Sequence, residues 1–166
     1  MKICQSQCKY GVESRTSIKL SRIIPELAVI MDLEAEDYSS AILEIVRKLA
    51  HSNLLEDADL CGADVLKRES SFTTCLPGGI ALPHARTAGV SHLVSAIALS
   101  RNGVLNADGC SRTNIFILTL SPVDARQPYL QYISRIGELL LQEKNIDSIL
   151  NARTPEELRN IFINGN

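Results

Sequence analysis

The chain has 166 residues, close to the length of one compact domain. Apolar residues make up 45% and charged residues 22%, which excludes a chain disordered throughout. The longest apolar run is about five residues against the ~20 of a membrane-crossing helix, and 17 basic against 19 acidic residues leave a net charge of −2, too weak a field to draw the chain to nucleic acid or anionic lipid.

Residues 1–16 mix Cys, Gln, Ser, Lys and Tyr without periodicity and are expected to form an N-terminal arm, with residues 17–166 as the folded domain. The opening Met1-Lys2-Ile3-Cys4 has no apolar stretch after it, so no secretory signal is expected. Cysteines at 4, 8, 61, 75 and 110 are odd in number and contain no C-x-x-C. They predict free thiols, a reducing cytoplasm, and neither a disulfide framework nor a metal site. No cofactor is expected.

A helical turn over Leu20 to Ile24, started near Ser17, is stopped by Pro25. Ala28 to Leu33 is apolar and β-branched enough for a short strand. Between Asp37 and Ser52 the period becomes helical, with Ala41, Ile42, Ile45, Val46, Leu49 and Ala50 on one face and Asp37 or Ser39 as the N-cap. A second helix is predicted from Asp57 to Arg68, with Leu60, Ala63 and Leu66 inward, followed by a loop from Glu69 to Gly79. Strands are expected at Gly79 to Leu82, His92 to Leu99 and Thr113 to Leu120, the last two joined through a turn at Asn106 to Gly109. Helices follow at Pro128 to Gln142, with Leu130, Ile133, Ile136, Leu140 and Leu141 inward, and at Asn145 to Leu150. The last opens at Thr154, with Pro155 in its first position. The sum is an α/β fold: a single-domain sandwich with a mixed β-sheet flanked by helices.

The segment Gly78-Gly79-Ile80-Ala81-Leu82-Pro83-His84-Ala85-Arg86 carries the most specific chemistry. Pro83 fixes its own φ and keeps Leu82 extended, so the chain should leave a buried strand on a stiff path and present His84 just beyond it. An imidazole so held is a nucleophile near neutral pH. Arg68, Thr73, Thr74, Gly78 and Gly79 precede it with a guanidinium, hydroxyls and accessible amides, groups suited to an anionic phosphoryl group. Each also has an ordinary role: a loop histidine bonded to a carbonyl, a cation at a helix C-terminus, turn threonines. His51 and His92 read as surface and strand-edge residues.

Arg68-Glu69, Thr73-Thr74 and Gly79-Ile80-Ala81-Leu82-Pro83-His84-Ala85 together resemble the signature of the enzyme IIA domains of the bacterial phosphoenolpyruvate phosphotransferase system, in the fructose, mannitol and nitrogen-regulatory class. The resemblance runs from about residue 17 to 163 and takes in Ile18-Lys19-Leu20-Ser21 and Thr154-Pro155-Glu156-Glu157-Leu158. It implies that His84 accepts a phosphoryl group from the phosphohistidine of an HPr-like carrier and that Arg68 helps to neutralise its charge, without metal. It also implies two partners of different kinds: a regulated transporter or kinase in the nitrogen-regulatory branch, or a IIB domain in the sugar branch. A third reading is a binding module that has lost phosphotransfer. Two departures stand out: Cys75 and Pro77 replace glycines of the family's loop, and Tyr129 stands where the family places a second histidine. A phenol donates a hydrogen bond but carries no positive charge at neutral pH.

Overall fold

A computed structural model describes residues 18–164. The expected arm 1–16, with Cys4 and Cys8, and the expected helix start at Ser17 lie outside the described residues. The elements in order are α1 (Leu20–Ile23), a 3-10 turn (Glu26–Ala28), β1 (Val29–Ile30), α2 (Tyr38–His51), α3 (Ala58–Ser71), β2 (Cys75–Leu76), β3 (Ile80–Ala81), β4 (His84–Arg86), β5 (Val94–Leu105), β6 (Arg112–Ser121), α4 (Arg126–Leu140), α5 (Glu143–Asn151) and α6 (Pro155–Asn164).

The sheet is mixed, as the sequence predicts, and has six strands rather than the four expected, in the order β1-β5-β6-β3-β2 with β4 also beside β6. β5 and β6 form its antiparallel centre, while β1 lies parallel to β5, and β3 and β4 lie parallel to β6. Alternation sends Phe116, Leu118 and Leu120 to one face, under α2 and α3, and Ile115 and Ile117 to the other, under α1, α4, α5 and α6. The molecule is thus helices, sheet and helices in three layers, with a separate apolar core on each side of the sheet.

α2 forms where the period predicts. The Asp37 carboxylate accepts from the Ser40 amide at 3.0 Å, and Ala41, Ile42, Ile45, Val46 and Leu49 are buried. α3 begins at the Asp57 cap, which accepts from Leu60 N at 2.9 Å. Its fully buried face is Cys61, Gly62 and Val65; Leu60 and Ala63, expected inward, are exposed, while Leu66 is half-buried against the core as expected. Gly62 explains the rotation: a Cβ there would stand 3.0 Å from Leu43 Cδ2, so α3 comes closest to α2 along its smallest residue. α3 also runs on to Ser71, three residues into the expected loop, with the Ser70 and Ser71 hydroxyls donating to Lys67 O at its end.

The rest of that loop is a hairpin. Cys75 and Leu76 pair antiparallel with Ala81 and Ile80, around a turn in which Gly78 and Gly79 take φ of 86° and 75°. β3 and β4 keep one register along β6, Ile80 opposite Ile115 and His84 opposite Thr119. The strand therefore continues past Pro83 to Arg86, and the expectation that His84 lies beyond the strand end is corrected. Pro83 lacks an N–H, but its carbonyl still accepts from Thr119 N at 2.9 Å, so the ladder survives it.

α4 starts two residues before the expected Pro128 and buries Tyr132, Ile136 and Leu139. Leu130 and Leu141, expected inward, are 52% and 85% exposed. The α6 cap is the expected one. Thr154 Oγ1 accepts from Glu157 N at 3.1 Å, and the Glu157 carboxylate accepts in return from the Thr154 and Arg153 amides. No helix among the described residues is long and apolar enough to cross a membrane.

Candidate functional site

β4 lies at the edge of the sheet beside β6, with α3 on one flank and the first turn of α4 on the other. Between them opens a cavity of about 520 Å³ lined by Asp64, Lys67 and Arg68 of α3, His84 and Arg86 of β4, and Tyr129 of α4. Side chains of one strand alternate, so Leu82, His84 and Arg86 share the α4 side of the sheet while Ala81 and Ala85 enter the core under α2 and α3.

His84 is half-buried, and its Nδ1 lies 3.0 Å from the carbonyl oxygen of Leu82. A carbonyl only accepts, so this contact places the ring proton on Nδ1 and leaves Nε2 with the free lone pair. The sequence offered no acceptor for this bond. It comes from the backbone two residues upstream, held extended by Pro83. The Tyr129 ring faces the imidazole with centroids 5.7 Å apart and planes tilted by 36°. Burial raises the Tyr129 phenol above its ordinary pKa, against the opposing charges of Arg68 and Arg86.

Arg68 stands in the last turn of α3, where one guanidinium N–H donates to Phe72 O at 2.9 Å. It therefore caps its helix, the ordinary role for a cation there, and also lines the cavity. The expected threonines do different work. Thr74 is tied to Glu69, which accepts from its amide at 2.9 Å and its hydroxyl at 2.8 Å, and also from the Tyr38 hydroxyl at 3.0 Å. Thr73 is exposed and accepts from the Cys75 amide at 3.3 Å, a local turn bond. Gly78 and Gly79 form the hairpin turn. Gly79 lies five residues up the strand from His84, about 16 Å at the usual rise, and its carbonyl accepts from Asn114 and Ile115. The structure thus brings His84, Arg68 and Tyr129 together and leaves Thr73, Thr74, Gly78 and Gly79 outside the cavity's lining.

Lys67 and Arg86 join the lining although neither was singled out from the sequence. The signal for Arg86 was present: Ile80, Leu82, His84 and Arg86 alternate on one face once the strand is allowed to pass Pro83. Beneath His84, its register partner Thr119 bonds to Ser95 at 3.1 Å, and Ser95 donates to Leu118 O at 3.0 Å. The Tyr132 hydroxyl is buried next to them without meeting hydrogen-bond geometry. His51 is exposed, with Nδ1 2.7 Å from Arg47 O, and His92 is exposed before β5. A cleft between α5 and α6, lined in part by Ser148, Asn151, Glu157 and Asn160, offers no cation for an anionic group, and its one hydroxyl, Ser148, is spent on Lys144 O. Among the described residues no group of three or more His, Cys, Asp or Glu could hold a metal ion.

Comparison with known proteins gives this geometry a family. Residues 22–165 match the family described as "Phosphoenolpyruvate-dependent sugar phosphotransferase system, EIIA 2". The chain is similar to the "PTS system fructose-specific EIIABC component" of Bacillus subtilis, 27% identical over 147 residues that make up 87% of this chain but only 23% of that relative. Among solved structures it is similar to nitrogen regulatory protein IIA-Ntr from Neisseria meningitidis, with a TM-score of 0.76, 25% identity, and coverage of 86% of this chain and 98% of that one. It shares its fold with the enzyme IIA of mannitol from Escherichia coli, solved in complex with phosphorylated enzyme IIB, at a TM-score of 0.70, 17% identity, and coverage of 86% and 96%. With the family matched across nearly all of the described fold, the chain belongs to the EIIA 2 family of the phosphoenolpyruvate-dependent sugar phosphotransferase system.

Proposed function

We propose that this chain is a cytoplasmic phosphocarrier that takes a phosphoryl group onto His84 Nε2 from an HPr-like carrier and works as a regulatory IIA protein of the nitrogen type. The observation that supports the site assignment is the Leu82 carbonyl 3.0 Å from His84 Nδ1, a contact that favours the Nδ1–H tautomer with Nε2 as the nucleophile. The likeness to the Neisseria IIA-Ntr over 98% of that chain supports the regulatory role. Its partners on this reading are the HPr-like donor and a regulated transporter or kinase.

The transfer balances without a metal, a cofactor or a net proton. The P–N bond in the donor's protonated phosphoimidazole breaks as the Nε2–P bond forms in line. The donor leaves as neutral imidazole, and His84 becomes the phosphoimidazolium, its Nδ1 proton still donated to Leu82. Little covalent work falls to the protein. What it supplies is position and neutralisation of charge on the three equatorial oxygens. Arg68 offers N–H groups beyond the one bound to Phe72. The Tyr129 hydroxyl supplies a neutral donor, and Thr73, Thr74, Gly78 and Gly79 support the loop that joins α3 to the strand of His84.

Incubation with phosphoenolpyruvate, enzyme I and an HPr-like carrier should give an acid-labile, base-stable adduct on wild type and none on His84→Ala. A label on His51 or His92 would sink the assignment. A second reading, a sugar-branch subunit that passes its phosphoryl group to a IIB domain, is favoured by the fructose-specific Bacillus relative. Discharge of the labelled protein onto a fructose-type IIB domain would select it. Retention of the label would select the regulatory role.

A further inference from the structure

We infer that Arg86 is a catalytic residue, a second guanidinium that binds the phosphoryl group in transit to His84 and supplies the positive charge that Tyr129 does not. The inference rests on the phosphocarrier reading above and adds to it a residue that neither the motif nor the loop chemistry assigned.

Backbone register carries the argument first. β4 continues β3 along β6 in one register, with His84 opposite Thr119 and Arg86 opposite Ser121. Two residues apart on one strand face, their Cα atoms lie about 6.6 Å apart and their side chains leave the sheet in parallel. A guanidinium on that stem reaches the space over a neighbouring imidazole. Both residues line the one cavity that also holds Arg68, Lys67 and Tyr129.

Availability is the second step. Arg86 is exposed, and among the described residues no hydrogen bond or ion pair engages its head. Arg159 is committed to Ile24 O and Ser21 O, Arg101 to Leu150 O and Ala152 O, and Arg112 to Gly103 O, while Arg22, Arg47, Arg126, Arg135 and Arg153 do not line the cavity of His84. Arg68 itself spends one N–H on Phe72 O. Arg86 thus keeps its planar donor fork free beside the nucleophile, and such a fork matches two phosphoryl oxygens at once.

The third step is charge. A phosphoryl group in flight spreads negative charge over three oxygens, and a phenol at 129 offers a dipole but no charge. Arg68 and Arg86 enter the cavity from different elements, α3 and β4, and line it together with His84 and Tyr129, whose rings face each other. Both guanidinium groups thus belong to the space that a phosphoryl group bound for His84 must enter. In the transfer the donor P–N bond breaks and the His84 Nε2–P bond forms, with Arg86 making hydrogen bonds only.

The test uses wild type, Arg86→Gln, Arg86→Lys, Lys67→Gln and the double variant Arg86→Gln/Tyr129→His. Each is phosphorylated by enzyme I and an HPr-like carrier, and each is titrated with inorganic phosphate while the His84 ring resonances are followed. Loss of a charge-assisted contact should lower the kcat of Arg86→Gln roughly tenfold to a hundredfold. KM for the carrier should stay within about twofold, because the loss falls on the transition state rather than on docking. Arg86→Lys should recover part of it, and the double variant more, since an imidazole at 129 restores a charge. Phosphate affinity should fall several-fold in Arg86→Gln, while the melting temperature moves by no more than about 2 °C, as expected of an exposed side chain. Arg86→Gln that matches wild type in kcat and in phosphate affinity, or a loss seen in Lys67→Gln instead, overturns the assignment. A rise in KM alone also overturns it, since that marks a docking residue. If no variant, wild type included, accepts label, the phosphocarrier reading fails, and the phosphate titration alone then decides whether Arg86 binds the anion.

Discussion

The tilted contact between the His84 and Tyr129 rings makes position 129 sensitive to single atoms. Tyr129→Phe keeps the ring and its packing against the core under α4 but removes the hydroxyl. If that hydroxyl donates to the phosphoryl group, transfer slows several-fold, the equivalent of about 1 kcal/mol for a neutral hydrogen bond. Tyr129→His places a second imidazole beside Arg68 and should speed transfer. A silent Tyr129→Phe together with a Tyr129→His no faster than wild type would reduce Tyr129 to a packing residue. His84, Arg68 and Tyr129 were picked out together by the family resemblance, and the fold brings the three to one cavity. Arg86 was not picked out. Pro83 reads as a strand stop at Leu82, because it removes a donor that would face β6; yet its carbonyl still accepts from Thr119 N and the ladder resumes at His84, so the alternation that puts Arg86 beside His84 runs on through a residue that sequence rules treat as a break. Thr74 misled in the other direction. Its hydroxyl looks available in sequence, but Glu69, five residues upstream in α3 and bonded as well to Tyr38, occupies it.

Among the elements, α2, the β5–β6 pair and the capped α6 were legible because strong periodicity or a capping box specifies each locally. α3 and α4 were legible as helices but not in their facing. In α3 two stripes compete, and the close approach of Gly62 to Leu43, a tertiary fact, selects Cys61 and Val65 over the larger Leu60. In α4 the buried stripe contains a tyrosine, so a search for aliphatic residues settles on the exposed Leu130 instead. The placing of α3 matters for the site because Lys67 and Arg68 ride on it. The chain entering it is clipped to the loop after β4, with the amides of Glu56 and the cap Asp57 donating to Gly89 O at 2.9 and 3.2 Å. A Cβ at Gly89 would lie 2.6 Å from both Asp57 O and Cys61 Sγ, and neither backbone nor buried thiol can yield freely. Gly89→Ala should therefore push α3 outward and destabilise the protein by about 1–3 kcal/mol, read from urea unfolding. Phosphotransfer, measured where the variant is still folded, should fall with it. A variant as stable as wild type would show that the clip is loose.

For the whole molecule, a backbone bond ties the sheet's centre to the start of α2, and three carboxylates, Asp37, Glu44 and Asp108, hold the segments around it. The Leu105 amide at the end of β5 donates to Glu36 O at 3.0 Å, just before the Asp37 cap of α2. The turn that follows is held by Asp108, which accepts from the Cys110 and Ser111 amides at 2.9 Å. The Ser40 hydroxyl and amide hold the Asp37 carboxyl below its ordinary pKa, and the Ser111 hydroxyl with the two turn amides does the same for Asp108. Burial alone would raise Glu44, but Lys48 at 2.8 Å and the amides of Ala35 and Glu34 outweigh it, so it too is lowered. A carboxyl whose folded pKa lies below its unfolded value stabilises the fold above the unfolded value, about 4, and loses that contribution as pH falls through the folded one. Both cores share the β5–β6 pair, so a loss at this end is felt by the molecule as one unit. The urea midpoint should accordingly stay nearly level from about pH 7 to 5 and drop on further acidification. Glu44 is the most buried of the three, so its interactions are the least screened by solvent. Glu44→Gln should lower the midpoint at neutral pH, flatten the acid drop, and meet the wild-type curve once acidification has passed the lowered folded pKa of Glu44, where both side chains are uncharged. A wild-type midpoint that does not move between pH 7 and 3, or a Glu44→Gln curve parallel to it throughout, would place the source of acid sensitivity elsewhere.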